Sequence, residues 1–416
     1  MFRSIPPPID TQFELKLEPV TALHLPTDRT LNTLYSDTLE VFRLEFVYPF
    51  GLLAFPNIES ANFLPRLMLM GTKSKSAYEI TNALENLGGF LDIQVGIQRT
   101  VITLHGLTQF FEAYLPLLEE IVSNPSIPEE ETEIMRQAAL QNLRIEEGKP
   151  SYLANKAYKL HLYGTESILG QTAENYQDVE AQALRKIHAE TFLKSNPDLW
   201  LCGNFTEAHQ KALEKLAQRL RREEKQFETH FPELKQPHRQ HIEVNGSIQS
   251  SLILGRRLIN RTHPDYIPFL VSNTLLGGYF GSRLMKNIRE EKGLTYGISS
   301  ALSPAGPDGV WSIRAELNKE KLEVALDAIH EEIQIIKDHA PPFEELEMVK
   351  NYLRGNILSS TNTLFDLMDK HKAIRYEGLT SDFYEKMSKR INEVHPEEVQ
   401  KLISTYIQDL TLISAG

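Results

Sequence analysis

The chain has 416 residues, 41% of them hydrophobic and 24% charged, with a formal net charge of −12 and a single cysteine. That length is too great for one hydrophobic core and predicts two domains of about 200 residues each. The acidic balance argues against a nucleic-acid partner. The lone Cys202 excludes an intrachain disulfide and any cysteine-rich metal site, and no apolar run approaches the roughly 18 residues that span a bilayer.

The first ten residues carry Arg3 and three prolines but no apolar stretch, so they do not read as a signal peptide. The expected location is cytoplasmic, or periplasmic if a leader has been removed. Residues 41–47 alternate as a strand and lead to a helix near 60–70, with a second helix over 78–87. Gly88 and Gly89 open a strand pair, 91–95 and 99–105. A helix over 109–122 follows, and Pro128-Glu129-Glu130 starts another that runs through Leu143. Proline and acids at a helix start suit the free N–H groups and the positive end of the dipole. Cys202 sits in the apolar, strand-like run 199–203, where a buried thiol is expected. The basic run 219–222 is followed at once by Glu223 and Glu224 and reads as a solvated helix end. Residues 222–241 are polar, contain Pro232 and Pro237 and show no period, so they read as a linker.

The second half repeats the order of the first. A strand over 250–255 leads to a helix near 266–276, and a further helix covers 282–292. Gly293 opens a strand over 294–302, which pairs with 309–317. A helix over 319–336 follows, and Pro341-Pro342-Phe343-Glu344-Glu345 starts the next, through Ile357. A repeat of about 210 residues is too long for a solenoid and signals a duplicated domain. Alternation in the strands, such as Val310, Ser312 and Arg314 against Trp311, Ile313 and Ala315, predicts sheets with one face covered by helices. The expected fold is therefore α+β: two homologous α/β sandwich domains, each a mostly antiparallel sheet covered by helices. The expected boundaries are 1–221, a linker at 222–241, and 242–416.

Common catalytic motifs are missing. There is no H-E-x-x-H, no H-x-x-E-H and no G-x-S-x-G. His238 and His241 lie in the polar linker and read as surface histidines. Leu276-Gly277-Gly278-Tyr279-Phe280-Gly281 looks like a phosphate loop only superficially, because it follows a helix rather than a strand.

The longer run from Leu276 to Tyr296, with its paired glycines, Ser282-Arg283-Leu284, Ile288-Arg289-Glu290, Lys292-Gly293-Leu294 and the final tyrosine, resembles the C-terminal-domain signature of the pitrilysin-type zinc peptidases. That family includes insulin-degrading enzyme and the mitochondrial processing peptidase, and the chain is most similar to the latter branch. The resemblance implies an inverted zinc motif, H-x-x-E-H, on the first helix of the N-terminal domain, with two histidines as ligands and the glutamate as general base. The matching segment here is 60–72. Asn62 and Arg66 occupy the histidine positions and Pro65 that of the base. The third ligand, a glutamate on a later helix, falls on Asn142. Arginine is a permanent cation that repels a dication, and proline has no side-chain base. No cofactor is expected in this chain.

The resemblance also implies that Arg289 and Tyr296 contact substrate at the zinc site of another domain, as donors to a peptide carbonyl and a developing oxyanion. Taken alone, the same two residues also fit a helix salt bridge and a packed sheet tyrosine. Two functions follow. In the first, the chain is the zinc-less subunit of a two-chain metallopeptidase and supplies Arg289 and Tyr296 in trans to a zinc-bearing homologous partner that holds an extended peptide. A homodimer is the variant of that arrangement. In the second, it is an inert scaffold or interaction protein built on the peptidase fold.

Overall fold

The computed structural model describes residues 15–25, 27–38, 40–227 and 229–416; the first ten residues lie outside them. The chain divides into two compact units, residues 19–235 and residues 236–416, the second joined by residues 15–18. Leu15 is buried in the core of that second unit.

In chain order the first unit runs β1 (Thr21–His24), β2 (Thr30–Tyr35), β3 (Val41–Tyr48), α1 (Ile58–Met68), α2 (Ala77–Asn86), β4 (Phe90–Val95), β5 (Thr100–Leu107), α3 (Phe111–Ser123), α4 (Glu129–Glu146), α5 (Pro150–Tyr163), α6 (Ala181–Thr191), β6 (Asp198–Gly203) and α7 (Glu207–Arg219). The second runs β7 (Arg239–Ile242), β8 (Gln249–Leu258), α8 (Tyr266–Asn273), β9 (Thr295–Ala305), β10 (Asp308–Asn318), α9 (Leu322–Asp338), α10 (Phe343–Ser359), α11 (Leu364–Glu377), α12 (Phe383–Glu393), α13 (Pro396–Tyr406) and β11 (Thr411–Ala415).

The sheets are β1-β2-β6-β3-β5-β4 and β7-β11-β8-β10-β9. Apart from the extra edge strand β1, they follow one plan. In each, a single parallel pair (β2 with β6, β7 with β11) adjoins an antiparallel run. This is the duplicated, mostly antiparallel α+β architecture that the sequence repeat implies. The helices α4 and α10 occupy corresponding places in chain order, each entered through a proline at the N-cap with acids in the first turn: Pro128 and Glu129–Glu131, Pro342 and Glu344–Glu345.

Each unit has its own core. In the first, Phe42, Leu44 and Phe46 on β3 and Ile102 and Leu104 on β5 meet Phe63, Leu64 and Leu67 of α1 and Phe111 and Tyr114 of α3. In the second, Leu252 and Leu254, Trp311 and Ile313 meet Phe269, Ile288, Ile329 and Leu346. Each such side chain contributes about 1.5–3 kcal/mol on full burial. Cys202 is fully buried on β6.

Two expectations need correction. Helix α1 begins at Ile58, not near 60, because the Asn57 side chain accepts the Ser60 N–H at 2.9 Å and caps it there. The expected α-helix over 282–292 is instead a wide, π-wound segment, Met285–Glu291, and α8 closes through a second one, Thr274–Gly278. Such wide turns are rare and occur often at functional sites, where side-chain placement outweighs ideal helix geometry.

Candidate functional site

Two places in the chain bear on chemistry, one in each unit. The first is the face of α1 where the metal-ligand positions fall. Phe63, Leu64, Pro65, Leu67 and Met68 are buried, whereas Asn62 and Arg66, one helical turn apart, are exposed together. Pro65 lies inside the helix and has no N–H to give the Ala61 carbonyl, yet α1 continues to Met68. Helix α4 packs on α1. Asn142 is exposed on α4 and follows the packed residues Met135 and Ala139 at helical spacing, so it continues the stripe that meets the core.

The neighbourhood of Asn62 is knitted by groups that sequence reasoning did not single out. Glu59, three residues before Asn62, is 3% exposed. One of its oxygens accepts the backbone N–H groups of Glu174 and Asn175, both at 2.8 Å. This ties the 172–178 loop to α1. Tyr176 from that loop lies beside Phe63, with ring centroids 5.6 Å apart. Burial, and then the Glu59 carboxylate, raise the Tyr176 phenol above its ordinary value.

The donor chemistry of this face does not fit zinc. An amide, a guanidinium and a second amide stand where the resemblance expects two imidazoles and a carboxylate. Among the described residues no three His, Cys, Asp or Glu side chains gather so as to hold a metal ion.

The second place lies in the second unit. Arg289, from the π-wound segment, and Tyr296, near the start of β9, come together: the guanidinium carbon stands 5.6 Å from the Tyr296 ring centroid. Phe280 joins them, its ring centroid 4.8 Å from the same carbon. Tyr296 is 90% exposed and Phe280 65% exposed, so neither is a core residue. Among the described residues the Arg289 side chain has no carboxylate partner and no hydrogen bond. Each cation–π contact is worth about 0.5–1 kcal/mol in so exposed a setting. The guanidinium is thus held while its N–H donors remain available to a carbonyl or carboxylate. The Tyr296 hydroxyl is equally accessible. The nearby Arg283 is spent differently, in a two-pronged bond to Glu345 of α10 at 2.8 and 2.7 Å.

Two family models match consecutive stretches of the chain. "Insulinase (Peptidase family M16)" covers residues 60–192 and "Peptidase M16 inactive domain" covers 178–353. The chain belongs to peptidase family M16. Among M16 relatives, an "Uncharacterized zinc protease YmxG" of Bacillus subtilis is 24% identical over 350 residues, 82% of this chain and 84% of the relative. A "Non-peptidase homolog YmxG" of Helicobacter pylori is 23% identical over 364 residues, 84% of this chain and 83% of the relative. The M16 fold is also seen in the crystal structure of a peptidase M16 inactive domain from Pseudomonas fluorescens, which covers 95% of this chain and 98% of its own at a TM-score of 0.85 and 23% identity. The inactive-domain match includes Phe280, Arg289 and Tyr296. The insulinase match includes Asn62, Pro65, Arg66 and Asn142.

Proposed function

We propose that this chain is the zinc-less subunit of a two-chain M16 metallopeptidase. It binds an extended peptide and presents Arg289 and Tyr296 in trans to the zinc site of a homologous partner. The observation that carries this reading is the state of Arg289: held by two exposed rings, with its donors free, in a chain whose own metal positions hold Asn62, Arg66 and Asn142. A guanidinium kept for structure would be spent as Arg283 is, on a carboxylate. In the complex, Arg289 would hydrogen-bond a substrate carbonyl, and the Tyr296 hydroxyl would donate to the oxyanion that develops when water adds to the peptide carbonyl carbon at the partner's zinc site.

Mixing the chain with its zinc-bearing partner is the test, with peptide cleavage that neither shows alone as the expected result. Tyr296→Phe keeps the ring against Arg289 and removes only the hydroxyl, so kcat should fall by about 10². Arg289→Lys loses the planar fork and should also slow turnover. A second reading, an inert scaffold, draws on the Helicobacter pylori relative, whose name calls it a non-peptidase homolog. A scaffold would leave kcat untouched by Tyr296→Phe in the assembled complex.

A further inference from the structure

Phe280 is a large apolar side chain that is 65% exposed and belongs to neither core. Its ring contact is with the Arg289 guanidinium, closer than the contact from Tyr296. The backbone around it is fixed by an unusually tight approach. A Cβ on Gly277 would lie 2.6 Å from the Ser300 Oγ and 2.8 Å from the Ser300 nitrogen, so only glycine lets this turn lie against β9. Asn273 secures the same junction. Its side-chain N–H donates to the Ser300 carbonyl at 3.3 Å, its side-chain oxygen accepts from the Trp311 indole at 2.7 Å, and the Ser300 hydroxyl donates to its backbone carbonyl at 3.2 Å. The strand that carries Tyr296 is therefore bonded to the end of α8 and packed against Gly277 in the turn that leads to Phe280, and Arg289 stands at both rings. Ring contacts restrict where a guanidinium sits without using its N–H groups.

We infer that Phe280 is a positioning residue: with Tyr296 it holds the Arg289 guanidinium ready for the acceptor group of a peptide. This rests on the proposed role of Arg289 as a substrate contact, and it adds a third residue whose chemistry, a bare hydrocarbon ring, cannot itself bind a carbonyl.

The test uses the full chain and a fluorescein-labelled unstructured peptide as probe, with affinity read by anisotropy. Phe280→Leu should weaken binding by about two- to five-fold, as loss of one ring contact implies. Phe280→Trp should restore it, because the indole face serves the cation at least as well. The side-chain Nε–Hε resonance of Arg289 should show a ring-current shift in the natural chain that collapses in Phe280→Leu and returns in Phe280→Trp. An exposed residue of no other importance would move neither reading. If Arg289→Lys weakens the peptide and Phe280→Leu does not, Phe280 has no positioning role and the proposed role of Arg289 stands. If Arg289→Lys leaves binding unchanged, that role falls and the positioning role falls with it. An unshifted Nε–Hε resonance in the natural chain overturns the ring contact itself.

Discussion

The exposed face of α1 and the ring-bound arginine of the second unit handle charge in opposite ways. Beside Asn62 the buried polar groups are satisfied within the protein: the Glu59 carboxylate accepts two loop N–H groups. Around Arg289 the polar group is held by hydrocarbon and left unsatisfied. Groups that bond each other rigidify a surface, whereas a fixed donor without an acceptor is prepared for a ligand. The difference separates a surface closed on itself at α1 from an open donor at Arg289.

The largest effect that would break this comparison is a regained metal. Asn62→His, Pro65→Glu, Arg66→His and Asn142→Glu, made together, should give a chain that holds about one zinc ion more than the natural chain, by elemental analysis. A well-folded quadruple variant that stays zinc-free would mean that α1 and α4 no longer keep the ligand geometry. Next in size is the loop that closes over α1. Glu59→Ala leaves two N–H groups without their charged acceptor and should destabilise the first unit by about 2–3 kcal/mol, read from the urea midpoint. A shift of only a few tenths would show that water serves the loop equally well.

A somewhat smaller effect separates the two units by pH. His188 of α6 is buried and hydrogen-bonded through Nε2 to the Val122 carbonyl at 2.8 Å. Burial lowers its pKa from 6.5 to about 4, with Arg222 pushing the same way and the Val122 bond opposing. Because the folded value is depressed, the unfolded chain takes up the proton first. Stability is complete above pH 6.5 and is lost as the pH falls toward 4, by about 2 kcal/mol at pH 5. The first unit should therefore loosen before the second on acidification, with hydrogen exchange as the readout, and His188→Gln should flatten that dependence. Simultaneous loosening of both units would remove the histidine as the cause.

Much of the fold was legible because strands announce themselves locally. The alternation on β3, β5 and β10 and the glycines before β4 and β9 place both repeats in the chain. What could not be read is the placement of β6 and β11 between strands made much earlier, since that depends on pairing across the whole unit. The π-wound turns were hidden too, as their composition is that of an ordinary helix. At the sites, the frame of residues 60–72 located Asn62 and Arg66 on one face, but Glu59 lies just outside that frame and was not singled out. A helical wheel would have put it beside Asn62. Phe280 carried a signal that went unused: an aromatic ring between a tyrosine and a glycine, in a turn with little core to fill.

The placement of β6 has a consequence for synthesis. Its slot lies between β2 and β3, yet it emerges roughly 150 residues after β3 ends. At 5–20 residues per second, the nascent chain waits on the order of ten seconds with the flanks of that slot unpaired. During that interval Leu31, Leu44 and Phe46 have no neighbour on one side, and any passing extended segment competes for the gap. The second unit sets the same trap between β7 and β8, so each ribosome producing this chain exposes two such openings in succession.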